Sequence, residues 1–168
     1  MESLAALTRA ARLAGGGAAV VSPSSPSTAP NTNNTLWSYT TGYSIVSSPA
    51  VVGGVVYVGS DHGNVYALNA TNGIHLWNYT TGGGVASSPA VVDGKVYIGS
   101  NDNKTYCLDA ATGAFIWSYT TAYFIDTSSP AVVGGKVYIG SHDRKVYCLD
   151  AATGAFIWSN TGGGSSSS

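Results

Sequence analysis

The phrase C-L-D-A-A-T-G-A-F-I-W occupies residues 107–117 and recurs without a change at residues 148–158. A looser copy, A-L-N-A-T-N-G-I-H-L-W, occupies residues 67–77. The tryptophans that end these copies, together with an earlier one at position 37, follow one another at intervals of 40, 40 and 41 residues. Self-similarity at a fixed period of this size indicates an array of one supersecondary unit.

Outward from this phrase, each unit is predicted to contain four short strands, A to D, joined by tight turns. Strand A is S-S-P-A-V-V, and the D-G or G-G pair after it is a strong signal for a two-residue hairpin. Strand B is rich in Val, Ile and Tyr, which suit a pleated surface. Strand C contains Y-(A/C)-L, and strand D contains the tryptophan. Four antiparallel strands in about 40 residues is the size of a β-propeller blade.

The prolines of strand A favour a propeller over a sandwich. Pro49, Pro89 and Pro130 lie in this strand, and proline is tolerated only where no ladder partner needs its N–H. The innermost strand of a blade is such an edge, and Ser, Pro and Ala are small enough for the crowded axis. The sequence therefore predicts an all-β fold of propeller blades, each with four antiparallel strands.

The repeated phrase resembles the tryptophan-docking repeat of the PQQ-like β-propellers, over three units from residue 37 to about 161. That family includes quinoprotein alcohol dehydrogenases and a lipoprotein of the outer-membrane barrel-assembly machinery. The resemblance implies that each tryptophan packs against the neighbouring blade. The turn between strands C and D opens with Asn or Asp, which accepts backbone N–H bonds, and closes with Gly, which allows positive φ. We therefore expect a structural role for Trp37, Trp77, Trp117, Trp158, Asn69, Asp109, Asp150, Gly73, Gly113 and Gly154.

Three blades are expected at about residues 42–81, 82–121 and 122–161, with one extra leading strand D at residues 35–41. Closed propellers generally have about 4–8 blades, so the three predicted blades would form an incomplete ring. Residues 1–34 form a low-complexity segment with a targeting-like start and a Pro/Ser/Thr/Asn linker, and residues 162–168 form a Gly/Ser tail.

Charge and hydropathy argue against a nucleic-acid partner and against a membrane span. The chain of 168 residues has a net charge of −1, and only 9% of its residues are charged. The five Lys and Arg of the repeat region form no basic stripe, so we predict no nucleic-acid partner. No apolar run approaches the roughly 20 residues of a membrane span, so we predict no membrane-spanning segment.

Histidine and aspartate recur in the predicted turns between strands B and C, at Asp61, His62, Asp102, His142 and Asp143. A metal or ligand rim is conceivable there, but the two histidines are one position out of register. Solvated turns are the preferred interpretation, so we expect no catalytic, cofactor-binding or metal-binding residue.

The two cysteines, Cys107 and Cys148, occupy the same position of neighbouring blades. Packed sheets lie about 10 Å apart, whereas a disulfide needs Cα atoms about 4.4–6.8 Å apart. Both cysteines are therefore predicted to be free, buried thiols.

The pattern N-x-(S/T) marks possible glycosylation at Asn33, Asn69, Asn78 and Asn103. These acceptors fit an extracytoplasmic location, in the periplasm, at the cell surface or secreted. Targeting to an organelle is the alternative, because the first residues contain Arg and Ser with one acidic residue.

Three hypotheses for function follow. The preferred one is a non-catalytic scaffold or binding module without a cofactor, whose partners are itself and an unknown protein or glycan. Self-association would complete the ring, as a closed dimer in preference to a filament. The alternatives are a fragment of a PQQ-dependent quinoprotein dehydrogenase and a self-assembling structural filament. Fold alone does not decide among them.

Overall fold

A computed structural model describes residues 35–161, and all regular secondary structure in this part of the chain is β-strand. The strands are β1 (Ala50–Val52), β2 (Val55–Gly59), β3 (Asn64–Asn69), β4 (His75–Thr80), β5 (Ala90–Val92), β6 (Lys95–Gly99), β7 (Lys104–Asp109), β8 (Phe115–Thr120), β9 (Ala131–Val133), β10 (Lys136–Ser141), β11 (Lys145–Asp150) and β12 (Phe156–Thr161). The targeting-like segment 1–34 and the tail 162–168 lie outside the described residues.

The strands form three antiparallel sheets of four strands each, in the orders β1-β2-β3-β4, β5-β6-β7-β8 and β9-β10-β11-β12. We call these sheets the first, second and third blade. The arrangement confirms the predicted all-β fold of four-stranded blades. Within residues 35–161 there is no helix that could cross a membrane.

Strand A is shorter than predicted, because a serine side chain replaces part of its backbone ladder. Each first strand covers only the A-V-V of the S-S-P-A-V-V phrase. In the first blade the hydroxyl of Ser47 accepts a hydrogen bond of 2.9 Å from the backbone N–H of Gly59. Ser87 and Ser128 make the same contact in the other blades. A hydroxyl thus satisfies the N–H that would otherwise face the proline-containing segment.

The hydrophobic core lies between the blades. Alternate residues of a strand point to opposite faces of a sheet, so the second blade buries one face against the first blade and the other against the third. The contact between the first and second blades includes Tyr57, Trp77, Val96 and Leu108. An equivalent cluster joins the second and third blades.

Residues 35–45 are here called the leading segment, and they lie on the face of the first blade that is turned away from the second blade. Trp37 and Tyr39 pack against a cluster of Val58, Tyr66 and Leu68. Residues 35–41 lie where the strand D of a preceding blade would lie, but they form no β-ladder with any described strand. A strand D pairs with a strand C on its own sheet, and no strand C lies on that side within residues 35–161.

Candidate functional site

The junction between consecutive blades is the most elaborate side-chain arrangement in the described residues, and it begins with a turn. After β7, the carboxylate of Asp109 accepts hydrogen bonds from the backbone N–H of Ala111 and from both the N–H and the hydroxyl of Thr112, at 2.8–3.0 Å. The bonds from Thr112 hold the pKa of Asp109 below its usual value. Asp150 binds Thr153 in the same way, with the same effect on its pKa.

The glycine that closes this turn forms the floor of a socket. Gly113 has φ of +73°, in the left-handed region that favours glycine. A Cβ atom at this position would lie 2.6 Å from Cε3 of Trp77, which belongs to the preceding blade. Glycine is therefore required at position 113 for two reasons, the backbone conformation of the turn and the close approach of the tryptophan ring.

The tryptophan also makes a hydrogen bond across the junction. The indole Nε1–H of Trp77 donates to the carbonyl oxygen of Ala110 at 3.0 Å. The same bond recurs at two other places, from Trp117 to Ala151 at 3.1 Å and from Trp37 to Ala70 at 3.0 Å. We call this combination of an indole ring, a carbonyl oxygen and a glycine a docking junction.

A tyrosine in strand B is a further member of the docking junction that the sequence did not reveal. The hydroxyl of Tyr57 donates to the carbonyl oxygen of Ala110, and that of Tyr97 donates to Ala151, both at 3.1 Å. One alanine carbonyl thus accepts from a tyrosine and a tryptophan of the preceding blade. Burial raises the pKa of Tyr97 to about 12. The recurring V-Y-(V/I)-G of strand B is the available signal, but the strand propensity of tyrosine explains it equally well.

The third blade presents the donor half of a docking junction without an acceptor among the described residues. Trp158 and Tyr138 have ring centroids 6.0 Å apart, as in the complete junctions. The side chain of Trp158 is 41% exposed, whereas Trp77 and Trp117 are 8% and 6% exposed. The structure therefore buries two of the repeated tryptophans between blades and leaves the last one open.

Strands A are linked near the axis by serine hydroxyls. The hydroxyl of Ser88 accepts from the backbone N–H of Ser48 at 2.8 Å, and the hydroxyl of Ser129 accepts from the N–H of Ser88 at 3.0 Å. Each blade is thus fastened to the next at its inner edge as well as at the outer docking junction.

Two of the aspartates in the turns between strands B and C, Asp102 and Asp143, have carboxylates that accept hydrogen bonds within the fold. Asp102 accepts from the hydroxyl of Tyr106 and from the backbone N–H of Gly82, and Asp143 accepts from the hydroxyl of Tyr147. Burial acts to raise the pKa of Asp143, but the hydrogen bond from Tyr147 and others outweigh it, so the pKa is lowered. These carboxylates brace their own blades.

The two histidines of these turns lie against aromatic rings. His62 stacks on Tyr43 with ring centroids 4.0 Å apart, and His142 stacks on Phe124 at 4.2 Å. His142 is also 3.8 Å from a carboxylate oxygen of Asp126. Within residues 35–161, no three side chains of His, Cys, Asp or Glu converge to hold a metal ion.

The cysteines are free and buried, as predicted. Cys107 is fully buried between the second and third blades. Burial raises the pKa of its thiol to about 11, so the thiolate that reacts with oxidants or electrophiles is scarce at neutral pH. Cys107 is thus a small core residue.

The possible glycosylation acceptors differ in exposure. Asn78 is exposed on β4, whereas the carbonyl oxygen of the Asn69 side chain caps its turn by accepting from the N–H groups of Thr71 and Asn72. The Asn103 pattern ends at Thr105, whose hydroxyl is fully buried. Asn33 lies outside the described residues. Asn78 is therefore the most accessible acceptor that the structure describes.

A family model described as outer membrane protein assembly factor BamB matches residues 26–167. Among solved structures, BamB from Moraxella catarrhalis is 26% identical, with a TM-score of 0.64 over 73% of this chain and 38% of that chain. The quinohemoprotein alcohol dehydrogenase ADHIIG from Pseudomonas putida HK5 is 34% identical, with a TM-score of 0.59 over 67% of this chain and 20% of that chain.

A third similar structure is the quinohemoprotein alcohol dehydrogenase from Comamonas testosteroni, 28% identical with a TM-score of 0.61 over 70% of this chain and 21% of that chain. The chain thus matches well under half of the BamB structure and about a fifth of each dehydrogenase. No curated protein matches the chain significantly.

Proposed function

The chain belongs to the PQQ-like β-propeller family whose model is described as outer membrane protein assembly factor BamB, and we propose that it is a non-catalytic scaffold or binding module. Its partners are a second copy of itself and a protein or glycan that binds the exposed surface of the blades. Relatives of this family include both an assembly factor and dehydrogenases, so the choice between these roles depends on the residues of this chain.

The open docking junction of the third blade is the observation that carries this proposal. Trp158 repeats the sequence context of Trp117, yet it is far more exposed. Monomeric proteins rarely expose large contiguous apolar surface without a use for it. A face already equipped with an indole N–H and a tyrosine hydroxyl is suited to dock another blade.

The use of the acidic side chains supports a structural role over a catalytic one. Asp109 and Asp150 cap turns, and Asp102 and Asp143 brace tyrosine hydroxyls. A carboxylate that already accepts several hydrogen bonds from the fold is less free to bind a substrate or a cofactor. The second and third blades use these groups for the same turns and tyrosine hydroxyls, whereas an active site needs a group that differs from blade to blade.

A fragment of a quinoprotein dehydrogenase is the second candidate, because the ADHIIG dehydrogenase is 34% identical over the matched residues. The experiment that separates the two is an absorbance titration of the purified chain with PQQ and Ca²⁺. A scaffold leaves the spectrum of PQQ unchanged at stoichiometric protein. A saturable shift with one PQQ per chain would contradict the scaffold proposal and favour the dehydrogenase fragment.

An extracytoplasmic location accompanies this proposal. The matched family model is described as an outer membrane protein assembly factor, and the accessible Asn78 acceptor fits a chain that meets the exterior. Fractionation of cells that express the chain tests this location, and recovery with the cytosolic markers alone would contradict it.

A further inference from the structure

We propose that the leading segment, residues 35–45, is a donor segment that completes the third blade of a second copy of this chain and replaces β12 there. The inference rests on the self-association proposed above and specifies the residues that produce it. In this arrangement the leading segment stays on its own first blade and pairs at the same time with β11 of the second copy. Trp37, which already donates to the carbonyl oxygen of Ala70, thereby takes the place of Trp158 as the indole of that third blade.

The sequence of the leading segment matches a complete strand D better than β12 does. Residues 37–41 read W-S-Y-T-T, which is identical to residues 117–121, and residues 77–81 read W-N-Y-T-T. Residues 158–162 read W-S-N-T-G. Asn160 therefore stands in β12 where the other three copies have tyrosine.

That tyrosine makes a contact between blades which asparagine cannot replace. Its ring meets a tyrosine of strand C in the next blade with centroids 5.8 Å apart in three places: Tyr39 with Tyr66, Tyr79 with Tyr106, and Tyr119 with Tyr147. The leading segment thus already contacts the first blade as a true strand D would. A docked β12 from a second copy would lose this aromatic pair.

The side chain that follows each strand D also supports this pairing, because in the complete contacts it packs on a glycine of strand B in the preceding blade. Val85 and Ile125 are fully buried, and they pack so tightly on Gly59 and Gly99 that a Cβ there would lie 2.4 and 2.2 Å from them. Ile45 holds the same place in the repeat.

The Ile45 side chain, however, is 44% exposed. On the third blade, Gly140 corresponds to Gly59 and Gly99, and a Cβ there would meet only the Ser128 side chain. Ile45 of one copy and Gly140 of another are therefore complementary.

Backbone groups repeat this complementarity. The N–H of Val85 donates to the carbonyl oxygen of Ser60 at 3.0 Å, and that of Ile125 donates to Ser100 at 3.2 Å. In the part of the chain that the structure describes, the N–H of Ile45 makes no such bond. The carbonyl oxygen of Ser141, the matching acceptor, accepts only from the N–H of Arg144 in its own turn, at 3.0 Å, and not from another of the described blades. The donor segment would supply the Ile45 N–H to Ser141 of the second copy.

The exchange conserves the ladder and buries additional surface. The leading segment would take over the hydrogen bonds that β12 makes with β11, so backbone pairing is unchanged in number. Releasing β12 gives up a tryptophan that is already 41% exposed, while docking covers Ile45 and Val146, which are 44% and 45% exposed. Two copies that each donate one segment would close a ring of six blades, within the usual range of about 4–8.

A cross-strand disulfide tests the pairing directly. Lys145 pairs with Thr161 of β12, and Thr40 holds the place of Thr161 in the repeat. Opposed residues of antiparallel strands have Cα atoms about 4.5–5.5 Å apart, within the range of a disulfide. The full chain with Thr40→Cys and Lys145→Cys is therefore expected to form a covalent dimer upon oxidation.

The matched control combines Thr40→Cys with Lys104→Cys. Lys104 is the equivalent position on β7, but it is paired with Thr120 of its own β8 inside a complete blade. The native cysteines are buried in both variants. A covalent dimer with Lys145→Cys and little or none with Lys104→Cys supports the donor segment. Equal cross-linking in the two variants, or none in either, would overturn it.

A second variant separates this inference from the proposed self-association. Lys145→Cys with Thr161→Cys ties β12 to β11 in the same copy, so the donor segment has no free edge to enter. We expect this variant to be monomeric when oxidised and to associate again on reduction. Association that persists in the oxidised variant would overturn the donor segment and leave self-association standing. A wild-type chain that stays monomeric at every concentration would overturn both.

Discussion

Replacing Gly113 with alanine tests the docking junction, because the residue has two separable roles. Gly113 has φ of +73°, and a Cβ there would lie 2.6 Å from Cε3 of Trp77. Gly94 provides the control, since its φ is +70° and a Cβ there would meet nothing within 4 Å. Gly94→Ala therefore changes the backbone energy alone, and Gly113→Ala adds the collision with the indole ring.

The expected magnitudes follow from these two roles. A left-handed conformation costs a residue with a Cβ about 1–2 kcal/mol, and this cost applies to both variants. The collision adds an overpacking cost of about 1–3 kcal/mol. Displacing the indole also weakens the bond from Trp77 to Ala110, whose net contribution is about 0.5–1.5 kcal/mol. Gly113→Ala is therefore expected to lower the free energy of unfolding by roughly 1–4 kcal/mol more than Gly94→Ala.

Urea unfolding, monitored by tryptophan fluorescence and circular dichroism at one protein concentration, measures the difference. Equal concentrations are needed because association changes apparent stability. The two variants should have similar m values and clearly different midpoints. Equal midpoints for Gly94→Ala and Gly113→Ala would show that the close approach of Trp77 contributes nothing to stability, and this would refute the packing described for the junction.

Three other predictions concern the same junctions. Trp117→Ala should lower the free energy of unfolding by about 3–5 kcal/mol, the range for truncating a large buried aromatic residue. Trp158→Ala should lower it clearly less, because Trp158 is 41% exposed. Equal losses in urea unfolding would contradict the account. Hydrogen bonds, chiefly from threonine, lower the pKa of Asp109 and Asp150 in the folded chain, so their contribution to stability is present above the unfolded pKa of about 3.9 and is lost as the pH falls through the folded pKa. Replacing both with asparagine should flatten the dependence of the unfolding midpoint on pH below about 4. Burial raises the pKa of Tyr97 to about 12, so its contribution to stability is present below the unfolded pKa of about 10 and is lost as the pH rises toward the folded value. Tyr97→Phe should therefore reduce the loss of stability at alkaline pH. An unchanged midpoint of alkaline unfolding would contradict this.

The strands and turns were predictable because their signals are local. The D-G pair at residues 93–94 adopts positive φ at both residues, as the primed hairpin turns require, and the Val-rich runs on either side form the paired strands. The length of strand A was not predicted, because the Ser87 hydroxyl that bonds the Gly99 N–H comes from a distant position in the chain.

The docking junctions were only partly predictable. The repetition of tryptophan and glycine indicated that both matter, but the contact between Trp117 and Gly154 joins two repeats and has no local signature. Turn chemistry alone accounts for a glycine at this position, so the sequence does not reveal that the tryptophan ring of the preceding blade packs on it. The shared acceptor was missed for the same reason, since the carbonyl of Ala151 receives Tyr97 and Trp117 only when the blades are packed.

The mass of the full chain in solution tests most directly whether the open face of the third blade docks a second copy. Light scattering coupled to size exclusion, over a range of micromolar concentrations, provides this measurement. We predict a species of twice the chain mass of 17.1 kDa, which separates into single chains only on dilution. A single compact species of 17.1 kDa at every concentration, with one cooperative unfolding transition, would contradict the proposal.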